Sequence, residues 1–357
     1  LLNDNKSEES EEGAIKAYKL NADNKGPLQS NDIYTALHYN WTNQINNKNQ
    51  LTVHKASVRN LVALSRSGQF VSADESGRVY LLSESNGILQ PVTSYNLKED
   101  VRVTAPIPGT QNALVLTSAG NAVILQIAGS TIKELSRAKF EGIGKSVLFD
   151  GGDLLIVSNK GIGKYTFKDN IIVPKTFTPT DNLADIALSS QGIYLAAGNN
   201  VYLYKTVTDI PDKPATVYKI GAKVLSVAID PSNTYLAAGT YDGDLWLKKL
   251  KPDTKEVSFN LHASAINDIQ FRPVNSNGII QLATASSDQT VKLVDVDAIM
   301  QSRNTDDIIT LRNHSKWVFK VTYSNDGDFL YTASEDKRII GWHATMAGIY
   351  NDLKKKK

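Results

Sequence analysis

RNHSKWVFKVTYSNDGDFLYTASEDKRIIGWHA, residues 312–344, is the stretch from which the fold is read. His314 opens it. Trp317 to Tyr323 alternates as a strand, and Ser324-Asn325-Asp326-Gly327 is a turn cluster. Phe329 to Ser334 reads as a second strand and Glu335-Asp336-Lys337 as a second turn. Arg338 to His343 is a third strand that closes on Trp342. A small sheet of this kind keeps one face for a neighbour and cannot bury itself alone, so it must stack against copies of itself.

Weaker copies run back through the chain at 53–83, 99–127, 138–168, 181–206, 219–250 and 261–296. Each carries two turn clusters, such as Ser65-Arg66-Ser67-Gly68 with Glu75-Ser76-Gly77 in the first and Asn275-Ser276-Asn277-Gly278 with Ser287-Asp288-Gln289 in the sixth. The first-strand anchors Val58, Val101, Ile143, Leu183, Val224, Ile266 and Val318 recur at about 40–45 residues. The last step is longer, which places an insertion at 297–311. Fourth-strand candidates lie between the copies at 91–97, 131–136, 171–177, 215–219, 255–260 and 307–311. Radial stacking hides their edges. The prediction is an all-β, seven-bladed β-propeller with a short N-terminal helical segment. Residues 1–45 form the helical hairpin or linker and 46–357 the propeller, with 46–53 giving the last blade its outer strand.

An opening His followed some 25–30 residues later by a Trp-Asp pair marks a propeller blade. Trp342 is in place and His343 stands where Asp usually does, so this copy resembles the WD-repeat family. The resemblance implies a buried hydrogen-bond chain in each well-kept blade, from the opening His through a second-strand Ser or Thr and a turn Asp to the Trp. Residue by residue, this gives His314, Thr332, Asp336 and Trp342 in the seventh copy. The sixth has His262, Thr284 and Asp288, with Val294 in place of Trp. The first has His54 but Leu82 at the Trp position, and the fifth has Asp242 with Lys248 there. Copies two to four keep almost none of the pattern.

Ahead of the repeats, residues 1–12 are polar and acidic and are expected to be frayed. Ile15, Tyr18 and Leu20 fall near helical spacing. After the Lys25-Gly26-Pro27 break, Ile33, Leu37 and Trp41 lie on one face of a second helix capped from Ser30, Asn31 or Asp32. This stripe is expected to pack against the chain's own propeller. The runs Ala14…Ala17-Tyr18…Asn21 and Asp32-Ile33-Tyr34-Thr35-Ala36-Leu37 resemble those preceding the C-terminal sensor propeller of bacterial STAND-type signalling proteins. That resemblance implies an effector domain upstream, and the opening without Met is read as that of a processed chain or of a piece of something longer.

Composition narrows the function. The 357 residues carry 39 Lys and Arg against 37 Asp and Glu, a net charge of +2 that gives no global field for nucleic acid or membrane. No run approaches the roughly 18–20 apolar residues of a spanning helix. With no cysteine, thiolate chemistry and disulfides are excluded and a closed zinc site is not expected. Gly142-Ile143-Gly144-Lys145-Ser146 ends like a phosphate loop, but Lys139 occupies the position of its first glycine and a strand follows. The His, Thr and Asp sets fall within blade periods and are read as structural rather than as hydrolase machinery. No cofactor or metal is expected.

The expected function is a non-catalytic scaffold or sensor, monomeric in isolation, whose loops bind a protein or peptide. The binding face is placed on the side of the first-strand bulges and second turns, at Arg59, Arg102, Lys145, Asn267, Phe319 and Lys320. Phe319 is taken as an exposed aromatic between basic residues, which suits an acidic or phosphorylated peptide. The alternative is a propeller enzyme or small-ligand binder with its site in the central channel. The positions after the anchors, read as Arg59, Arg102, Gly144, Ala184, Leu225, Asn267 and Phe319, repeat no acid or histidine, which favours binding over chemistry.

Overall fold

Alternation with a period of two drives each copy into an antiparallel sheet, and the computed structural model shows how far. It describes residues 2–250, 254–273, 279–302 and 305–355, with side chains from residue 8 onward. The described residues form seven four-stranded sheets around a central channel. The inner strands are Val58–Ala63, Val101–Pro106, Gly144–Asp150, Leu183–Ser189, Val224–Ile229, Ile266–Phe271 and Val318–Tyr323. Second strands such as Tyr235–Thr240 and Gln281–Ser286 are buried along their whole length, because neighbouring blades cover both faces. Their sequences are accordingly unbroken runs of apolar and small residues. Outer strands such as Thr131–Lys139 face solvent and alternate.

The core lies between blades. Val71, Val79 and Leu81 of blade one meet Val101, Val115 and Val123 of blade two, and comparable clusters fill the other junctions. The ring closes through both ends of the chain: Gln50 and Leu51 pair antiparallel with Ile340 and Ile339, so the seventh sheet takes its outer strand from residues 50–51.

Four expectations need correction or addition. Residues 2–12 are helical rather than frayed; helix α1 runs unbroken over Leu2–Asp23. Helix α2, Asn31–Gln44, holds it there: the Asn40 side-chain amide donates to the Ser10 carbonyl and Gln44 Nε2 to Glu11 Oε2 at 2.8 Å. The insertion after blade six contains helix α3, Val296–Ser302. The end of the chain, where no strand pattern was visible, forms helix α4, Met346–Lys355. The anchor of blade three is Gly144, not Ile143, because Leu116 of blade two fills the space a side chain would need; a Cβ at 144 would lie 2.5 Å from Leu116 Cδ1. The Asn275–Gly278 turn lies outside the described residues.

The helices cover the outside of blades six and seven. Tyr34, Leu37 and Trp41 of α2 share one core with Ile309, Leu330, Trp342, Ile349 and Leu353. Tyr34 donates to the His343 carbonyl at 2.8 Å, and the Thr310 N–H donates to Asn31 Oδ1 at 2.9 Å, so α2 also caps the outer strand Ile309–Arg312. No helix of the described residues is long and apolar enough to cross a membrane.

Removing residues 46–53 deletes the strand that joins the chain's ends. The truncated protein is expected to melt at a lower temperature or to associate, read by thermal denaturation and sedimentation. An unchanged melt of a monomer would mean that the pairing at residues 50–51 adds nothing to closure.

Candidate functional site

The seven inner strands share one irregularity. Each shifts register immediately after its first residue: Val58/Asn60, Val101/Val103, Gly144/Ser146, Leu183/Asp185, Val224/Ser226, Ile266/Asp268 and Val318/Lys320. A bulge adds one residue without a ladder partner and re-aims its side chain. The extra residues are therefore Arg59, Arg102, Lys145, Ala184, Leu225, Asn267 and Phe319. All seven occupy the first-strand ends, beside the second turns, as the Arg59–Glu75 pair and the Asn267 Nδ2 to Ser287 Oγ bond of 3.0 Å show. Arg59, Arg102, Lys145, Asn267, Phe319 and Lys320 all line one channel of about 650 Å³. In blade three the bulge residue is Lys145; counting from Ile143 had put Gly144 there.

The charges of this rim are largely spent. Arg59 Nε donates to Glu75 Oε1 at 2.5 Å, and its guanidinium lies 4.4 Å above the Phe319 ring. Arg102 pairs with Asp100 at 2.5 Å. Lys145 Nζ donates to the Leu183 carbonyl at 2.6 Å, and burial followed by repulsion from Lys223 pulls its pKa down. Burial would also neutralise Lys320, but Asp268, 2.7 Å away, outweighs it and holds the ammonium charged. The expected strip of free positive charge is thus three ion pairs and one lysine held by a backbone carbonyl. Phe319 is half-buried under Arg59; the exposed aromatics of this face are Trp317, 52% exposed and edge-on to Phe319, and Tyr241, 60% exposed beside Lys223. Sequence reading passed over both. Tyr241 stood in plain view as the first residue of the Tyr241-Asp242-Gly243 turn.

Deeper in the channel, side chains two positions after the anchors tie blades together. Asp268 Oδ2 accepts the Val321 N–H at 3.0 Å, Asp185 Oδ2 the Val227 N–H at 3.0 Å, and Asn60 Oδ1 the Thr104 N–H at 2.9 Å. Each spans one junction to the same position of the next inner strand. Such a bond to a charged acceptor contributes roughly 1.5–3 kcal/mol.

The blade histidines are satisfied structural groups. His314 bridges Asp336 at 3.0 Å and Thr332 at 2.7 Å, and Trp342 Nε1 donates to the same threonine at 3.0 Å. His262 bridges Asp288 at 2.9 Å and Thr284 at 2.8 Å. Burial alone would raise the Asp288 and Asp336 carboxyls, yet the bonds from their histidines hold both well below the carboxylate range. Blade one has the same arrangement, unseen in the sequence: His54 meets Asp74 and Ser72, each at 2.8 Å. Asp74 sits two residues earlier than the turn Asp of the other blades, at the register of Ser334. Blade two substitutes Glu99, which accepts from Thr117 at 2.6 Å and Asn121 at 2.7 Å. Among the described residues no cluster of His, Asp and Glu could hold a metal ion.

The model for the WD domain, G-beta repeat, matches residues 214–247, 254–295 and 306–343. Each match begins at the outer strand of one blade and ends in the third strand of the next, the offset that makes closure by both chain ends necessary. The chain is a seven-bladed β-propeller, and three of its repeats match the WD40 model. It is similar to WD repeat and HMG-box DNA-binding protein 1 of Xenopus laevis, 27% identical over 59% of this chain and 19% of that protein. It is also similar to the chromatin assembly factor 1 subunit FAS2 homolog of Oryza sativa, 30% identical over 36% of this chain and 27% of that protein. Pre-mRNA-processing factor 19 of Dictyostelium discoideum is 23% identical over 72% of this chain and 52% of that protein. The chain thus spans between about a fifth and about half the length of these relatives. They are eukaryotic, and the bacterial source expected from the N-terminal runs has no support among them.

Trp342→Ala removes a buried indole and its bond to Thr332 and should cost roughly 3–5 kcal/mol, read from denaturant unfolding. A cost near zero would mean that this indole does not hold the blade. Acid should weaken the fold as well. Burial, outweighing the aspartates, holds His262 and His314 below the ordinary histidine value. The carboxyls of Asp288 and Asp336 are held low too. With these four folded values depressed, these groups bind more protons in the unfolded chain than in the folded one. Stability is then present above about pH 6.5 and is lost as pH falls below it, more steeply below about pH 4. The melting temperature should be flat above neutrality and fall between about pH 6 and 5; a rise there contradicts the assignment.

Proposed function

We propose that this chain is a non-catalytic protein- or peptide-binding module, a scaffold or sensor within a larger protein, and that it binds through the rim of inner-strand bulges. The observation that carries the reading is the bulge repeated at one register in seven blades, which presents at the channel mouth a ring of side chains from residues without ladder partners. Arg59, Arg102, Lys145, Asn267, Phe319 and Lys320 form the proposed contact set, with Trp317 and Tyr241 as its exposed aromatic anchors. Aromatics and arginine are the residues on which binding energy concentrates. WD40 propellers bind protein partners, which supports the class of function. One relative's name includes DNA binding, but a net charge of +2 and ion-paired arginines favour a protein ligand here. An acidic or phosphorylated peptide is the first partner class to test. Residues 1–45 are proposed as the helical segment that joins the propeller, 46–357, to a domain upstream. Sensor duty in a STAND-type protein rests on the two short N-terminal runs alone.

Affinity capture with the intact chain identifies the partner, and binding is then compared for Trp317→Ala, Phe319→Ala, Arg59→Ala and the lateral control Lys255→Ala. Trp317→Ala should weaken binding by about 2 kcal/mol or more with little change in melting temperature. Lys255→Ala should bind as wild type does. If all four variants bind alike, the partner sits elsewhere.

A further inference from the structure

Positive charge is spent unevenly around the channel mouth. On the side of blades seven, one and two, Lys320, Arg59 and Arg102 each face a carboxylate, that of Asp268, Glu75 and Asp100 respectively. On the side of blades three to five the cations are Lys145 and Lys223, and both residues are exposed. Among the described residues neither of them meets a carboxylate. Backbone geometry sets the two on either side of blade four. Lys145 Nζ donates to the Leu183 carbonyl at 2.6 Å. Leu183 is paired with Ala197 across blade four, and the next residue, Gly198, accepts the Val224 N–H at 2.9 Å. Lys223 directly precedes Val224, so a single rung of blade four lies between the points where the two lysines are held. The bulge residue of that blade is Ala184, which has the smallest side chain of the seven, so little stands between them. The two ammoniums repel each other, and this adds to desolvation in pulling the Lys145 pKa down. Like charges held together without an acid are relieved by an anion from outside. Lys223 Nζ also lies 5.9 Å from the centre of the exposed Tyr241 ring, which offers an apolar contact beside the charge.

We infer that Lys145 and Lys223 together bind an aspartate- or glutamate-bearing segment of the protein that docks on the rim. This rests on the rim being the binding face and assigns a chemistry to its blade-four side. A carboxylate fits better than a phosphoryl group. The rim's two arginines, the side chains that grip phosphoryl oxygens in pairs, are committed to Glu75 and Asp100. Lysine acts as a point charge, which calls for negative charge but not for a particular set of oxygens.

The test uses the intact chain and a fluorescein-labelled hexaglutamate peptide, read by fluorescence anisotropy at low salt, with hexaglutamine as the uncharged probe. Hexaglutamate should bind saturably and hexaglutamine should not. Lys145→Gln and Lys223→Gln should each weaken hexaglutamate binding at least about threefold, and the double variant more. Lys133→Gln removes the same charge from an exposed position on the outer strand of blade two and should leave binding nearly unchanged. If the two rim variants act no more strongly than Lys133→Gln, or if hexaglutamate does not bind, the inference fails. It fails too if a hexapeptide with one phosphoserine among glutamines binds more tightly than hexaglutamate, since the ligand is then a phosphoryl group. Should Lys145→Gln lower the melting temperature through its lost bond to Leu183, Lys223→Gln decides by the same comparison. Once the partner is captured, binding weakened by Trp317→Ala but untouched by both lysine variants sinks this inference and leaves the rim standing as the binding face.

Discussion

Everything in this chain follows from sheets that cannot be stable alone. A second strand such as Ala113–Thr117 is buried from end to end, which requires a neighbour on each face of the blade. Seven such demands are met only by a closed ring, and the sheet that closes it must draw on both chain ends. Two residues, Gln50 and Leu51, supply that strand. So short a pairing gives few ladder hydrogen bonds, and helices α1, α2 and α4 add what it lacks. They bury Tyr34, Leu37, Trp41, Ile349 and Leu353 against the last two blades, where the ring would otherwise open.

Blade rhythm was legible because it depends on patterns that local sequence carries: alternation, turn glycines and anchors at a fixed period. The number of sheets and the outer-strand candidates could be read from that alone. What stayed hidden depends on contacts between blades. Gly144 looks like a missing anchor until Leu116 is seen to occupy its space. Asp74 looks like an ordinary strand residue, because it does from two positions earlier what Asp336 does from the turn. Glu99 lies before its blade's first strand and reaches Thr117 and Asn121 across the second turn. The site was partly legible for the same reason: the residues after the anchors could be named, but their pairing with Glu75, Asp100 and Asp268 could not. That pairing converts an expected basic rim into one whose polarity is mostly internal.

The WD40 matches fall on blades five to seven, while blades one and two satisfy similar needs with different residues. A buried imidazole must find partners, and so must a buried carboxylate. The requirement fixes the chemistry of the position but not the residue that meets it. His54 with Ser72 and Asp74 is one solution, and Glu99 with Thr117 and Asn121 another. Outer hairpins differ between the halves as well. In blades one to three the outer strands run to nine residues, whereas in blades four to seven they are shorter and loops or helices fill the perimeter.

The inner-strand bulge separates two jobs that would otherwise compete for the same residues. The anchor before it packs between blades, and the residues two and three places on tie one blade to the next. The bulge residue has no ladder partner and no place in the core. It can therefore be arginine, lysine, alanine, leucine, asparagine or phenylalanine without disturbing the sheet, and across the seven blades it is each of these. Positions fixed by packing stay apolar or carry interblade bonds, and the variable position, which adds such a bond only where it is Lys145 or Asn267, is delivered to the mouth of the channel. The regularity of the fold thus places an irregular, residue-tolerant ring at the one opening where all seven blades meet.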